Sequence, residues 1–154
     1  MELKTVQTHH VPVRYLEAGS GQPLVYLHSA GGVTADDVLL NALAKTHHVY
    51  APLLPGYGDS EECGEIRDML DFTLHTWDVV EALGLKNPIL VGHSMGGMIA
   101  AEMAAIAPND VTRLGLIAPG GVRCIIRPRA ATMVSASSSE NTPATQAAVY
   151  SPRL

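Results

Sequence analysis

Aromatic residues are scarce in this chain of 154 residues: one tryptophan, one phenylalanine and five tyrosines. A core must be built from small and aliphatic side chains instead. Hydrophobic residues still make up 47% of the sequence, enough for one globular domain of helices packed closely on a sheet. Cysteine is rarer still. Cys63 and Cys124 stand alone and far apart, which gives neither a metal-ligand spacing nor a disulfide framework and leaves free thiols. No metal and no cofactor is expected. Lysine and arginine number ten against fifteen acids, and a net charge of −5 argues against nucleic acid or a membrane surface as partner. No apolar run approaches the ~20 residues that cross a bilayer. Met1-Glu2-Leu3-Lys4 leads into polar residues rather than an apolar signal segment. A cytoplasmic location is the resulting expectation.

What is present is an alternation of strand and helix patterns. Thr5 to Thr8 and Val11 to Glu17 read as two opening strands, the second placed near an edge by Pro12. Leu24-Val25-Tyr26-Leu27 is short and continuously apolar, the mark of a strand buried on both faces. His48-Val49-Tyr50-Ala51, Ile89-Leu90-Val91 and Leu114 to Ala118 read the same way. Between them lie helical patterns at Asp36 to Lys45, at Ile66 to Leu83 and at Met98 to Ala107. In the second, Ile66, Met69, Leu70, Thr73, Trp77, Val80 and Leu83 recur at helical steps. The expected fold is α/β: a mostly parallel sheet flanked by helices and led by an antiparallel hairpin.

Composition breaks after Gly121. Residues 1–121 hold six basic residues against fourteen acids, whereas 122–154 hold four arginines against the single acid Glu140. The stretch from Ala131 to Pro143 is mostly Ser, Thr and Ala with no period. The expectation is a domain over 1–121 and a basic, low-complexity, disordered tail over 122–154. A reading-frame change or an early end after Gly121 would produce such a break.

The segment that carries chemistry is Gly92-His93-Ser94-Met95-Gly96. G-x-S-x-G alone is a weak pattern. Here it follows a buried strand directly and opens a helix directly, the setting of a nucleophile elbow. The serine sits on a strained turn, and glycines two residues before and after leave room for tight packing. Its oxygen then stands above the carboxyl edge of the sheet, with the backbone N–H of Met95 aimed at the same spot from the positive end of the helix. Gly92, Gly96 and Gly97 do not fit the G-x-G-x-x-G dinucleotide fingerprint, and no Gly-Lys-Ser/Thr supplies a phosphate loop.

Two further segments lie in order with it. His28-Ser29-Ala30-Gly31-Gly32 follows the first buried strand, and Pro55-Gly56-Tyr57-Gly58-Asp59-Ser60 follows the second. Together the three resemble the α/β-hydrolase family over residues 3–121, its N-terminal half, and within it the serine esterases and meta-cleavage-product hydrolases. The resemblance implies Ser94 as nucleophile, with the N–H groups of Ala30 and Met95 as oxyanion donors. It implies Gly92, His93 and Gly96 as the elbow around Ser94, and the Pro55–Ser60 loop bordering the entrance. Ser29 departs from the glycine usual at its position, and His28 is a structural residue in such folds. Epoxide hydrolases and haloalkane dehalogenases carry aspartate where this chain has Ser94.

A serine hydroxyl needs a base, and in this fold the acid and histidine follow the serine in the chain. All seven histidines (9, 10, 28, 47, 48, 75 and 93) precede or adjoin Ser94, and only Glu102, Asp110 and Glu140 follow it as acids. His75 is expected to face solvent from its helix, and no histidine is assigned as base. By resemblance the remaining strands, the lid and the triad histidine would lie beyond Leu154. Two expectations follow. One is a serine hydrolase acting on a small-molecule ester or a carbon–carbon bond beside a carbonyl. The other is a catalytically incomplete hydrolase fragment, inactive or binding only. The strand Leu114 to Ala118 is expected to be a bare sheet edge, open to self-association.

Overall fold

The computed structural model describes residues 1–121 and, beyond them, the backbone of two strands, Thr132–Ser135 and Gln146–Tyr150. Strands β1 (Glu2–Gln7) and β2 (Pro12–Ala18) form an antiparallel hairpin in which Gln7 faces Pro12. The chain then alternates through β3 (Pro23–Leu27), α1 (Val38–Leu43), β4 (His48–Pro52), α2 (Met69–Ala82), β5 (Ile89–His93), α3 (Met95–Ile106) and β6 (Arg113–Ile117). The later strands are β7 (Thr132–Ser135) and β8 (Gln146–Tyr150). One sheet holds all eight in the order β1-β2-β4-β3-β5-β6-β8-β7. Strands β4, β3, β5 and β6 run parallel, and the outer pairs are antiparallel.

The apolar runs form central strands because both of their faces are covered. Leu24 and Tyr26 point into one cluster with Leu16, Leu40, Val49 and Ala51. Val25 and Leu27, one residue out of phase, point into the other with Leu90, Ile99 and Met103. A side chain as fully buried as Leu27 stabilises the fold by roughly 2 kcal/mol. Helix α1 is short and depends on its cap: Asp37 Oδ1 accepts the N–H of Leu40 at 3.0 Å. In the same way Asp68 Oδ1 accepts the N–H of Asp71 at 3.0 Å and starts α2 at Met69, so Ile66 lies outside the helix.

The structure corrects the inner face assigned to α2. Of the residues assigned to it, Thr73 and Val80 are buried, but Leu70 is half exposed, and His75, Thr76 and Val79 are buried as well. The two threonines go inside because their hydroxyls are satisfied within the helix, Thr73 on the Met69 carbonyl and Thr76 on the Phe72 carbonyl. His75, expected at the surface, is only 4% exposed. A hydroxyl that bonds back to its own helix reads as polar in sequence but packs as apolar.

The edge of β6 also differs from expectation. It is paired antiparallel by β8, with Leu114 facing Tyr150 and Ile117 facing Ala147. In two stretches, therefore, residues 122–154 form strands where an unstructured tail was expected. Thr, Val and Tyr in those stretches favour the extended backbone, and the vacant hydrogen-bonding edge of β6 supplies the partner. The rest of that expectation lies outside the described residues.

Candidate active site

Strand order places the site. From β3 the chain crosses to β4 on one side, and from β4 it returns to β5 on the other. The carboxyl ends of β3 and β5 therefore flank the point where the winding reverses, and loops diverging there leave a crevice. The loop after β3 begins at His28, and the turn after β5 is Ser94.

Ser94 stands between β5 and α3 with φ 52° and ψ −112°. A residue with a Cβ is strained in that region, and the surroundings hold it there. Its N–H donates to the Ile117 carbonyl at 2.9 Å, and its carbonyl accepts the N–H groups of Gly97 at 3.0 Å and Gly120 at 2.9 Å. The flanking glycines are steric requirements. A Cβ on Gly92 would lie 2.2 Å from the Gly96 carbonyl oxygen, and one on Gly96 would lie 2.1 Å from that of Leu27. That closeness lets the Gly96 N–H donate to the His28 carbonyl at 3.1 Å, stitching α3 to the loop after β3. His93, the last residue of β5, is partly buried beside Ser94.

His28 is fully buried and its imidazole is committed. Nδ1 donates to the Ser29 carbonyl at 2.7 Å, and Nε2 accepts the N–H of Leu54 at 3.0 Å. Burial lowers its pKa against the opposing pull of the Ser29 carbonyl, so the ring stays neutral. Its role is to tie the loop after β3 to the loop after β4. Tyr57 completes the link: its ring meets that of His28 edge-on at 4.9 Å, and its hydroxyl lies 3.7 Å from Met95 Sδ. The three sequence segments thus converge on one corner. Among the described residues the N–H groups of Ala30 and Met95 have no hydrogen-bond acceptor, and the Ser29–Gly32 turn presents Ala30 at its tip.

The other titratable groups are engaged elsewhere. Glu102 Oε2 lies 3.0 Å from Thr73 Oγ1 and shares its one proton with the Met69 carbonyl, and Asp110 lies in a single 3-10 turn. His48 and Lys4 hydrogen-bond to Glu17, which lowers the pKa of that carboxyl although burial pushes it up. His47 bonds Thr46, and His10 meets Glu65 and Asp78. No histidine hydrogen-bonds to Ser94 Oγ among the described residues, nor do three or more His, Cys, Asp or Glu side chains form a metal-binding group there. Sequence reasoning missed Ala118, whose φ of 42° turns the chain after β6 so that Gly120 reaches Ser94. Alanine carries no signal for a positive φ.

A serine held on a strained strand-to-helix turn at the switch point of a wound sheet defines a class, the hydrolases of the α/β fold. The chain belongs to the alpha/beta hydrolase fold family, whose sequence profile matches residues 22–146. It is 37% identical to 2-hydroxymuconate semialdehyde hydrolase of Pseudomonas sp. over 111 residues, 69% of this chain and 39% of that protein. It is 35% identical over 114 residues to the dihydrolipoyllysine-residue acetyltransferase component of the acetoin cleaving system of Pseudomonas putida, 71% of this chain and 30% of that protein. Among solved structures a bacterial membrane phospholipase A superposes with a TM-score of 0.72 at 33% identity, covering 82% of this chain and 42% of that one. The thioesterase domain of the curacin biosynthetic pathway gives a TM-score of 0.67 at 26% identity, covering 77% of this chain and 46% of that one. The chain thus spans less than half the length of these relatives. Among the described residues no helix is long and apolar enough to cross a membrane.

Proposed function

We propose that this is the nucleophile half of a serine hydrolase site, acting on a small ester or on a carbon–carbon bond beside a carbonyl. The observation that carries the reading is the backbone of Ser94, held at φ 52° by hydrogen bonds from the first turn of α3 and from the end of β6 and the turn after it. Such strain persists only where the surroundings over-determine it, and it clusters at reacting groups. Ser94 Oγ attacks the carbonyl carbon, and the oxygen that gains the electron pair is received by the N–H groups of Ala30 and Met95. As the oxyanion collapses, the bond to the leaving group breaks, the proton lost by Ser94 Oγ passes through solvent to the leaving group, and water then attacks the acyl-serine, releasing the acid and restoring the hydroxyl. The hydrolases among the relatives support the reaction class.

A second reading rests on a separate observation. The imidazole of His28, the histidine bonded to the elbow backbone, is spent on Ser29 and Leu54. The Ser94 proton then has no acceptor among the chain's histidines, and the chain by itself turns over feebly or only binds. In triad hydrolases, loss of one member leaves roughly 10³–10⁴-fold acceleration over water.

The test is p-nitrophenyl acetate hydrolysis by the wild type and Ser94→Ala across pH. A small residual turnover that Ser94→Ala removes is expected, without a rise near pH 6–7 typical of a titrating histidine. Equal background rates in the two proteins would leave a chain that only binds, as the second reading holds, whereas turnover well above background that survives Ser94→Ala would overturn Ser94 as nucleophile. Fast turnover rising with a histidine-like pKa would overturn the second reading and give an upstream histidine the role of base.

A further inference from the structure

Beside α2, the β1–β2 turn and the segment 63–67 enclose a cleft of about 500 Å³. Its polar groups are matched among themselves or shielded. Arg67 lies 3.3 Å from Asp71, and the His10 ring fills the space between Glu65 at 2.7 Å and Asp78 at 3.6 Å. His75 is buried, and its two ring nitrogens, without hydrogen-bond partners among the described residues, are closed off from solvent.

A reactive arrangement lies elsewhere, toward the amino end of β4, whereas Ser94 stands past the carboxyl end of the parallel strand β5. Lys4 of β1, Glu17 of β2, and His48 and Tyr50 of β4 share one face of the sheet. Glu17 Oε1 lies 2.6 Å from His48 Nε2, and Lys4 Nζ lies 2.9 Å from Glu17 Oε2. On its other side, His48 Nδ1 lies 3.1 Å from the Tyr50 hydroxyl. The carboxylate fixes the roles in this chain. Burial works to raise the Glu17 pKa, but the hydrogen bonds from Lys4 and His48 hold it below its ordinary value, so the group is ionised and only accepts. Nε2 therefore carries a proton, and in the neutral ring Nδ1 keeps a lone pair for the Tyr50 O–H.

A hydroxyl, a base within hydrogen-bond reach and a third group orienting the base form the arrangement that activates a nucleophile. The hydroxyl here is a phenol. Its ionisation in advance is disfavoured, because burial and then the Glu17 charge raise the Tyr50 pKa against an opposing pull from Lys4. The proton must leave as the new bond forms, and His48 is in contact to receive it. Neighbouring rings fix the phenol, His48 at 4.4 Å and Tyr15 at 6.2 Å between centroids. Tyr50 is partly exposed and the His48 side chain is 31% exposed, which leaves the pair open to a small molecule.

We propose that Tyr50 is a second nucleophilic centre, a modification site that takes the acyl group of a small activated acyl donor with His48 as general base. Tyr50 Oη attacks the carbonyl carbon while its proton passes to His48 Nδ1. The tetrahedral adduct collapses, the leaving group departs with the electron pair of its bond, and His48 passes the proton on to it. Glu17 is a positioning residue that orients the imidazole and offsets its transient charge, and Lys4 keeps Glu17 ionised. The product is an aryl ester on Tyr50, one acyl group per chain. The site stands independently of Ser94 and of the reaction proposed for it.

The test treats the full chain, as wild type and as Ser94→Ala, with N-acetylimidazole at about pH 8, above the ordinary histidine range. Samples are quenched in acid and digested, and acetylation at each tyrosine is followed by mass spectrometry. Tyr50 should be marked ahead of Tyr57, which is also partly exposed, and equally in both proteins. In His48→Gln the Tyr50 rate should fall roughly a hundredfold, the low end of what a general base contributes, with Tyr57 unchanged. Glu17→Gln keeps an acceptor for His48 and Lys4 but loses the charge, and it should lower the Tyr50 rate as well. Tyr15 and Tyr26 are buried, so their acetylation reports loss of the fold. Should His48→Gln unfold, Glu17→Gln decides. A Tyr50 rate below that of Tyr57 in the wild type, or unchanged in the folded variants, would overturn the proposal. Acetyl groups on Lys4 or His48 with Tyr50 unmarked would overturn it too.

Discussion

The elbow and the cleft beside α2 are built on opposite principles. At the elbow, backbone does the work: the groups that meet are N–H and C=O, and a Cβ on Gly92 or Gly96 would fall 2.1–2.2 Å from a backbone carbonyl oxygen. In the cleft, side chains do the work: two imidazoles, three carboxylates and a guanidinium arrive from three separate segments. The elbow is therefore rigid and insensitive to pH in itself, and it tolerates almost no change of shape. The cleft tolerates change of shape but responds to protonation. The oxyanion role proposed for the elbow suits the first arrangement, because preorganised dipoles need no rearrangement as charge appears.

The largest expected effect breaks the elbow by a single methyl group. Gly96→Ala sets a Cβ against the backbone carbonyl of Leu27, and backbone cannot give way as a side chain can. A loss of about 3 kcal/mol or more is expected, read as a fall in the urea midpoint. Gly31→Ala in the neighbouring loop, where the nearest atom is Ser29 Oγ at 3.5 Å, should be close to neutral. If both substitutions were tolerated alike, the packing account of the elbow would be wrong.

Next in size is a gain. Ser94→Gly relieves the strain of a Cβ at φ 52° and should stabilise the chain by about 1–2 kcal/mol while removing the hydroxyl proposed as nucleophile. Thermal melting of the wild type, Ser94→Ala and Ser94→Gly separates strain from chemistry. Alanine should melt close to serine and glycine above both. A glycine variant that melts lower would mean the strain is absent.

A smaller effect tests the pH response of the cleft. Burial holds the pKa of His75 below its ordinary value, and the same is true of His28. In the unfolded chain a histidine takes up its proton near pH 6.5. Above that pH neither state is protonated and the full stability is present. As pH falls below it, the unfolded chain binds protons that the native chain refuses, and stability is lost toward the lowered native pKa. His75→Leu should make this decline shallower, with His28 accounting for what is left. It should also add about 1 kcal/mol at neutral pH by removing unmatched buried nitrogens. Denaturation at pH 5 and pH 8 measures both, and an unchanged slope would place His75 in water.

The smallest effect concerns the helix face. Leu70→Ser should change stability by less than about 0.5 kcal/mol, because Leu70 is half exposed. Were it on the inner face, as the apolar spacing of α2 implied, the cost would be about 2 kcal/mol.

These contrasts explain what could be read in advance. The strands were legible because burial on both faces demands continuous apolar residues, as in Leu24 to Leu27. The elbow was legible because its steric demands fall within five consecutive residues, Gly92 to Gly96. The burial of His75 was not, since it depends on a hairpin turn some 65 residues away. Nor was the pairing of β6 with β8, because hydrogen-bonding edges carry no side-chain signature.

The sequence by itself determined the alternating strands and helices, the strained serine between β5 and α3, and the absence of a histidine after it. Those features rest on sterics and periodicity acting over a few residues. Only the tertiary structure decided that His28, Leu54, Tyr57 and Met95 meet at one corner, that His75 of α2 turns inward, and that His10 reaches Glu65 and Asp78. Contacts between distant segments are set by how the sheet is wound, and no local pattern records which side chains that winding brings face to face.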